Sequence, residues 1–474
     1  MDSQLLLASY PEPFAVDRTV VADELAASGS ILIVLDDDPT GTQSVADVPV
    51  LTAWEEADVE WAFDQGRSAC YVLTNSRSLA PEEAARITHD VVATVSRVAD
   101  RRGLGVTFVS RSDSTLRGHF PLETDTIIST LDEAGEPGPD IVLLVPAFPD
   151  AGRITVGGVH YFRQGNEATP VGETEFARDA TFGYRSSDLR EWVEEKTRGR
   201  VLASQVVSLD LALVRQGPDA VVAALSGLTG GRVVVADAAD ESDLLVVALA
   251  VGRAEKAGKR FVHRVGPAFV RARLGQHAPD PLTPGDLRIG LAGQAPGLIV
   301  AGSHVGLTTR QLAVLRERRP DLVVVEVEVD EVLDAQRRDA YVAELTNRVV
   351  EALGSGDVLL QTSRRLVTGG DGDASLAIAR AVSQALVDVV HTVVARRTPG
   401  WVVAKGGITS SDVASRGLEI RRAMVAGPML PGLVSMWLAA DGPAAGLPYV
   451  VFPGNVGGDD ALAQVVATLT ALRG

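Results

Sequence analysis

Residues 31–43 read ILIVLDDDPTGTQ, in which five apolar residues lead into three consecutive acids and a Pro-Thr-Gly turn. Strands of a parallel sheet are covered on both faces and are therefore continuously apolar, so the first five residues predict a buried strand. In open α/β sheets, ligands bind beyond the carboxyl ends of the strands. The stretch therefore predicts an α/β fold with Asp36, Asp37 and Asp38 at a ligand-binding edge.

These three acids need a counter-charge. Adjacent carboxylates repel one another, and removing them from water costs free energy. We expect a metal ion, an arginine or a proton to balance them. The acidic turn is therefore a candidate functional site.

Strand and helix patterns alternate along the rest of the chain. Apolar, β-branched runs such as residues 141–145 and 298–300 are separated by helix-length stretches such as residues 81–102. This alternation predicts mostly parallel sheets with flanking helices. Residues 274–297 are rich in Pro and Gly and mark a boundary. We predict two α/β domains, residues 1–275 and 298–474, joined by a linker over residues 276–297.

Composition excludes several classes of partner. The chain has 474 residues and a net charge of −18, which argues against nucleic acid or an anionic membrane as a general partner. The N-terminus lacks a secretory signal and the apolar runs look too short to span a membrane, so we expect a cytoplasmic protein. The single cysteine, Cys70, lies in an apolar run and is expected to be a packed thiol.

Clusters of polar residues follow most of the predicted strands. They occupy residues 36–43, 74–78, 110–118, 146–158, 302–306, 361–364, 405–411 and 454–460. One rim of such loops in each domain predicts two ligands that meet in a cleft between the domains.

Residues 110–118, SRSDSTLRG, are the densest polar cluster. The planar guanidinium groups of Arg111 and Arg117 suit a carboxylate or phosphate, while Asp113 and the neighbouring hydroxyls suit sugar-like hydroxyls. Asp113 could instead cap a helix, but capping does not explain both arginines. Arg153 adds a further cation in residues 146–158, where a rigid turn with a surface arginine is the simpler alternative.

The C-terminal half contains glycine turns that suit anions. Gly406 and Gly407 lie between a predicted strand and a predicted helix, and residues 454–458 repeat the arrangement. Exposed N–H groups at such turns bind phosphates, which favours a nucleotide. Asp459 and Asp460 could simply favour the start of the following helix. No GxxxxGK[ST] motif is present, so the chain is not a P-loop enzyme.

With these motifs, the chain resembles the four-carbon acid sugar kinase family, whose members phosphorylate tetronates and 3-oxo-tetronates with ATP. The family's Asp-Asp-Leu-Thr-Gly, Asp-Ser-Thr-Leu-Arg-Gly and Pro-Ala-Phe-Pro…Gly-Arg loops correspond to residues 37–41, 113–118 and 146–153. Its Gly-Ser, Gly-Gly-Glu/Asp-Thr and Gly-Asn-Phe-Gly motifs are similar to residues 302–303, 406–409 and 454–457. The chain departs from the family pattern at Pro39, Gln43, Ile408 and Pro453, which leaves the sugar acid and the donor contacts open.

The resemblance implies that residues 1–275 bind a sugar acid and that residues 298–474 bind ATP with Mg²⁺. The sugar acid would contact Thr40, Arg111, Asp113, Ser114 and Arg153. Catalysis would use Arg117, with Asp37 or Asp38 orienting and deprotonating the hydroxyl. ATP would contact Ser303, Lys405, Gly406, Gly407, Thr409, Gly454, Asn455 and Gly457. Mg²⁺ would be carried by the nucleotide, with Asp459 as a further ligand to consider.

Two other classes of function remain open at this point. Asp36-x-Asp38-x-Thr40 after an apolar strand also fits a haloacid-dehalogenase-like phosphatase, but that interpretation leaves residues 113–118 unexplained. A non-catalytic two-domain binding protein is the third class. The sequence leaves open which sugar acid is used and whether the chain forms a homodimer.

Overall fold

The computed structural model describes residues 2–288, 295–363 and 372–471, which form two compact units. The first contains Met1–Gly41 and Trp54–Ala278, and the second contains Thr42–Ala53 and Pro279–Gly474. Each unit is a sheet with flanking helices, which confirms the α/β prediction. Thr42–Ala53 belongs to the second unit, although we assigned it to the N-terminal domain from the sequence.

The strands in these residues are, in chain order, β1 (Ser30–Asp36), β2 (Val48–Leu51), β3 (Ala69–Leu73), β4 (Gly105–Arg111), β5 (Ile141–Val145), β6 (Arg153–Val156), β7 (Val159–Gln164), β8 (Glu167–Pro170), β9 (Val207–Leu209), β10 (Arg232–Ala236), β11 (Phe261–Val265), β12 (Leu298–Ala301), β13 (Val323–Val327), β14 (Val358–Thr362), β15 (Val402–Lys405), β16 (Arg422–Leu430), β17 (Val434–Ala439) and β18 (Pro448–Phe452).

The α-helices are α1 (Ser3–Leu7), α2 (Arg18–Ser28), α3 (Glu56–Asp64), α4 (Pro81–Arg102), α5 (Leu122–Glu133), α6 (Leu189–Lys196), α7 (Leu211–Val214), α8 (Pro218–Ser226), α9 (Glu241–Lys256), α10 (Pro267–Arg273), α11 (Pro284–Arg288), α12 (Gly306–Arg318), α13 (Val329–Leu333), α14 (Arg338–Ala352), α15 (Gly372–Arg396), α16 (Gly407–Asp412) and α17 (Ala461–Thr470).

The main sheet of the first unit has the order β3-β1-β4-β11-β5-β10-β9, and all of its strand pairs are parallel. Leu32, Ile33 and Val34 of β1 are buried, as expected for a strand covered on both faces. Asp36 is in register with Leu73 of β3 and Arg111 of β4. The loops after these three strands therefore leave the same edge of the sheet side by side.

The sheet of the second unit is mixed. Strands β13, β14, β12, β15 and β18 are parallel in that order, and β17, β16 and β2 continue the sheet in antiparallel fashion. Lys405 at the end of β15 is in register with Ala301 of β12 and Phe452 of β18. The three glycine turns that follow these strands are therefore neighbours.

Part of helix α15 is apolar enough to span a membrane by composition. Ala377–Arg396 is 20 residues long with a mean hydropathy of 1.4. It is therefore longer than the apolar runs that we expected from the sequence. Its side chains Val382, Leu386 and Val390 are buried within the second unit. Core helices of globular proteins share this composition, so length and hydropathy are weak evidence for a membrane span.

Candidate functional site

Arginines supply the counter-charge of the acidic turn after β1. Asp36 is buried and forms an ion pair with Arg111 Nη2. Asp37 accepts two hydrogen bonds from Arg77, from Nε at 3.1 Å and from Nη2 at 2.6 Å. Burial nevertheless raises the pKa of Asp36 to about 7, although Arg111 favours its ionised form. Of the three counter-charges considered, arginine is therefore present beside the acids.

Arg77 lies in the turn after β3 and is not among the site residues predicted from the sequence. Its Nη1 is 3.3 Å from Asp38 Oδ2 and 4.0 Å from Asp113 Oδ2. Arg77 thus contacts carboxylates from the loops that follow both β1 and β4. The signal was present in the polar cluster at residues 74–78, but nothing in the sequence showed that β3 lies next to β1.

The three acids of the turn differ in exposure and in ionisation. The Asp37 side chain is 1% exposed, whereas that of Asp38 is 27% exposed. Burial raises the pKa of Asp37. Burial also acts to raise the pKa of Asp38, but Arg77, Arg111 and hydrogen bonds from Thr40 outweigh it and leave the pKa below its ordinary value. Asp38 is therefore the accessible, ionised carboxylate of the turn.

Asp113 is a second ionised carboxylate at this edge. Its Oδ2 accepts from Arg117 Nε at 2.6 Å and from Thr115 Oγ1 at 2.6 Å, and it lies 2.6 Å from Arg117 Nη2 in an ion pair. Burial opposes ionisation, but Arg77 and Arg117 hold the pKa of Asp113 well below its usual range. No helix begins at Asp113 in the described chain, because α5 starts only at Leu122, so the capping alternative is wrong.

Arg153 lies at the start of β6 in a different environment. Its guanidinium is 4.6 Å above the ring of Phe162 and 5.8 Å from that of Phe176. It has no ion pair with a carboxylate of the described residues, and its buried Nε lacks a hydrogen-bond partner. Burial lowers the pKa of Arg153. A half-buried cation without a carboxylate partner favours an anionic ligand, so the functional interpretation of Arg153 is preferred.

Arg111 does not occupy the substrate-facing position that we predicted. It is the last residue of β4, where it is buried against Asp36, and its Nη2 also donates to the carbonyl of Asp38 at 3.2 Å. Its charge is used within the turn. Arg117 remains partly exposed and accessible beside Asp113.

Two other predicted substrate contacts lie near these groups. Thr40 donates its hydroxyl to Asp38 Oδ1 at 2.5 Å. Ser114 is buried, and its carbonyl oxygen is 2.8 Å from His160 Nε2.

Gly41 closes the acidic turn over the Asp36–Arg111 pair, and replacing it should disrupt the turn. A Cβ at this position would overlap both the Arg111 and the Asp36 side chains. We expect Gly41→Ala to destabilise the protein by about 3 kcal/mol, because separating a buried ion pair leaves uncompensated charge. Chemical denaturation of the variant measures this. Gly29→Ala is the control, since a Cβ there would meet no atom within 4 Å and only the cost of its left-handed φ of 65° remains. An equal effect in the two variants would contradict the account.

Two glycine turns of the second unit, at Gly406 and Gly454, approach Ser303, which lies in a third. A Cβ on Gly406 would lie 3.1 Å from Ser303 Cβ, and one on Gly454 would lie 3.1 Å from Ser303 Oγ. Gly406 has a φ of 121°, which a side chain would strain. Helix α16 begins directly after it, at Gly407. The turns thus bring Gly406, Gly454 and Ser303 together, as predicted for an anion cradle.

A cavity of about 330 Å³ opens beside these turns. Its lining includes the turn residues Gly302, Ser303, Gly406, Gly407 and Thr409, together with His304 and Ser383. The apolar side chains that form a wall of the cavity are Val329, Ile378, Ala379, Val382, Leu386 and Ile408. The Ile408 side chain is 66% exposed. An apolar wall suits the face of an aromatic base, and the adjacent backbone N–H groups suit phosphates.

Lys405 does not face this cavity, which corrects our expectation that it replaces a cation of the family. Its side chain is fully buried at the end of β15, where Nζ donates to the Pro453 carbonyl at 2.5 Å and lies 4.0 Å from the Phe452 ring centroid. Burial lowers the pKa of Lys405 to about 7. Lys405 therefore links the glycine turn after β15 to the glycine turn after β18.

The remaining predicted residues have simpler surroundings. Asn455 is exposed, Gly457 has a φ of 79°, and Asp459 forms a 2.9 Å ion pair with Arg310. No group of three or more potential metal ligands occurs in the described parts of the chain. Arg364 of the predicted cluster at residues 361–364 lies outside the described residues. His119 and His304 contact backbone carbonyls.

Models of known protein families match both halves of the chain. The family model described as "Sugar-binding N-terminal domain" matches residues 32–273, and "Nucleotide-binding C-terminal domain" matches residues 298–462. A D-erythronate kinase from Heliobacterium modesticaldum is 30% identical over 294 residues, which cover 61% of this chain and 59% of that protein. A D-threonate kinase from Bordetella bronchiseptica is 27% identical over 459 residues, covering 94% of this chain and 99% of that protein.

A crystal structure of a Haemophilus influenzae protein has the same fold, with a TM-score of 0.62 and 19% identity over 92% of this chain and 100% of that chain. The matching curated relatives are named as kinases, which gives the phosphatase interpretation no support. On the match of its sugar-binding and nucleotide-binding domains, the chain belongs to the four-carbon acid sugar kinase family, whose members are phosphotransferases.

Proposed function

We propose that this protein uses ATP to phosphorylate a hydroxyl of a four-carbon sugar acid such as a tetronate or 3-oxo-tetronate. The observation that carries the proposal is Arg153, a half-buried cation that forms no ion pair with any carboxylate of the described residues and whose buried Nε has no hydrogen-bond partner. A sugar acid offers one carboxylate for such a cation and several hydroxyls for nearby carboxylates. These groups therefore fit a sugar acid as the acceptor better than they fit a neutral sugar.

On the acceptor side, each accessible group has a distinct role. Arg153 binds the carboxylate of the sugar acid, and Asp113 accepts hydrogen bonds from its hydroxyls. Asp38 orients the attacking hydroxyl, because it is the most accessible acid of the turn and is ionised. Arg117 neutralises charge on the migrating phosphoryl group. Phosphoryl transfer asks mainly for alignment and charge neutralisation, so a weakly basic carboxylate such as Asp38 suffices.

On the donor side, the glycine turns around Ser303 bind the phosphates of ATP, and the apolar wall of the cavity receives the adenine ring. Gly407 and Thr409, which line the cavity, contribute to the same cradle. Mg²⁺ would neutralise phosphate charge, with its ligands supplied mainly by the nucleotide, since no group of three or more potential metal ligands occurs in the described parts of the chain. A cytoplasmic location and a homodimer stay predictions.

Gly406→Ala tests the cradle. The substitution forces a side chain into a φ of 121° and towards Ser303. Since such strain costs about 1–3 kcal/mol, we expect the Kd for ATP to rise about tenfold or more. Isothermal titration calorimetry with a non-hydrolysable ATP analogue measures the change. Sugar-acid binding should be retained, and an unaltered nucleotide affinity would contradict the assignment.

A coupled ADP-release assay tests the proposed function. Erythronate, threonate and their 3-oxo forms are each incubated with the enzyme, ATP and Mg²⁺. We expect ADP formation that depends on at least one of these acids. ADP formation that is the same with and without every acid would reject the proposal, and binding without turnover would favour a non-catalytic binding protein. Hydrolysis of a phosphate ester without ATP would revive the phosphatase alternative.

A further inference from the structure

Arg77 is the shared partner of the acids at the acceptor edge. Its backbone N–H donates to the Asp37 carbonyl at 3.3 Å, which fixes the turn after β3 against the turn after β1. Two of its side-chain nitrogens bind Asp37. The third, Nη1, is directed to Asp38 and Asp113, which lie in different loops.

We propose that Arg77 is the positioning residue of the acceptor site, which holds Asp38 and Asp113 ionised and correctly oriented for the hydroxyls of the sugar acid. This inference rests on the proposed function. Arg77 touches the carboxylates rather than the reacting atoms, so it acts through them.

The geometry favours this role over a simple structural clamp. A clamp needs only the two hydrogen bonds to Asp37, which is buried. Nη1 instead faces the two acids that remain accessible, and the Arg77 side chain is itself 20% exposed. No other described cation lies within 4.0 Å of the Asp38 carboxylate, because Arg111 reaches only its backbone carbonyl.

A change in pH dependence distinguishes the two roles. The charged and titratable groups that act on the acidic turn and Asp113 are Arg77, Arg111, Arg117, Arg153, His160, Asp36, Asp37 and Glu123. Arg77 lowers the pKa of Asp38, so its removal raises that pKa. The ionised acid is the active form, and activity is lost as the pH falls through its pKa. The acidic limb of kcat/KM should therefore move to higher pH.

The test compares Arg77→Gln and Arg77→Lys with the wild type. We expect Arg77→Gln to lower kcat/KM for the sugar acid at pH 7 about tenfold or more and to raise the acidic limb by about one pH unit. Arg77→Lys should give an intermediate limb, because it keeps the charge but loses the planar fork. The KM for ATP should stay within about twofold, since Nη1 faces only acceptor-side groups.

Arg86→Gln is the matched control, because Arg86 is an exposed arginine of α4 that pairs with Glu83 and Asp90. Thermal melting of each variant checks folding, and Arg77→Lys carries the test if Arg77→Gln does not fold. A uniform loss of activity with an unmoved acidic limb would show a structural clamp and overturn the inference. Full activity in Arg77→Gln would overturn it too.

A second readout separates this inference from the proposed function. If the wild type turns over no sugar acid, the proposed function fails on its own. The Asp38 carboxyl is then titrated by ¹³C NMR in wild type and Arg77→Gln, with Asp38→Asn used to assign the signal. A higher midpoint in Arg77→Gln supports the positioning role, and identical midpoints reject it.

Discussion

Asp38→Asn is expected to lower kcat for the sugar acid by about three orders of magnitude, the range in which a positioned acid or base contributes to catalysis. The amide is nearly isosteric but carries no charge, so it holds the attacking hydroxyl less strongly and cannot accept its proton. ATP binding should be unchanged, because Asp38 lies in the sugar-binding domain. Steady-state kinetics with saturating ATP measure the loss, and calorimetry measures the nucleotide affinity.

Two further variants make this result specific. Asp90→Asn changes an exposed acid of α4 and should have full activity. Asp37→Asn should mainly destabilise the fold, because Asp37 is buried and its loss leaves Arg77 with weaker compensation. If Asp37→Asn melted like the wild type and lost more activity than Asp38→Asn, the roles of the two acids would have to be exchanged.

Arg153→Met is expected to raise the KM for the sugar acid about a hundredfold or more, since losing a desolvated charge-assisted contact costs about 3 kcal/mol. Methionine keeps an unbranched apolar side chain that can still pack on Phe162 and Phe176. The effect should therefore come from the missing charge. Initial rates over a range of sugar-acid concentrations give KM, and the KM for ATP serves as the internal reference.

Arg163→Met is the matched control for this variant. Arg163 follows Phe162 in β7, so its side chain leaves the opposite face of the strand. It should retain the KM of the wild type. If Arg153→Met also retained that KM, or if only kcat fell, Arg153 would not be the carboxylate receptor, and a cation–π role with Phe162 would explain its position.

The acidic turn was predictable because its signal is local. A continuous apolar run followed by acids and a Pro-Thr-Gly turn specifies a buried strand and the polar loop at its end, and β1 with Asp36 to Asp38 has that form. Residues 113–118 and the glycine turns were found in the same way. In each case the pattern of neighbouring residues carries the information.

The contacts between loops were not predictable, because they depend on strand order and register. Arg111 and Arg117 look equivalent in the sequence, but Arg111 is still within β4 and opposite Asp36, while Arg117 lies beyond the strand. Lys405 is buried for the same reason, as the last residue of β15. Arg77 became prominent only once β3 was known to pair with β1.

Thr42–Ala53 illustrates the same dependence at the scale of a domain. Strand β2 pairs with β16, whose residues follow it by hundreds of positions, and Thr42 Oγ1 donates to Ser435 Oγ at 2.9 Å. No local pattern reports a partner so distant in the chain. The short segment therefore reads as part of the N-terminal half in sequence and packs with the second unit in the structure.

The central claim is that the γ-phosphoryl group of ATP is transferred to a hydroxyl of a four-carbon sugar acid. The most direct test is ³¹P NMR of a reaction containing enzyme, ATP, Mg²⁺ and the acid selected in the ADP-release assay. The account predicts a phosphate monoester of the sugar acid formed in equal amount to ADP. Inorganic phosphate in equal amount to ADP, with no phosphorylated acid, would contradict it.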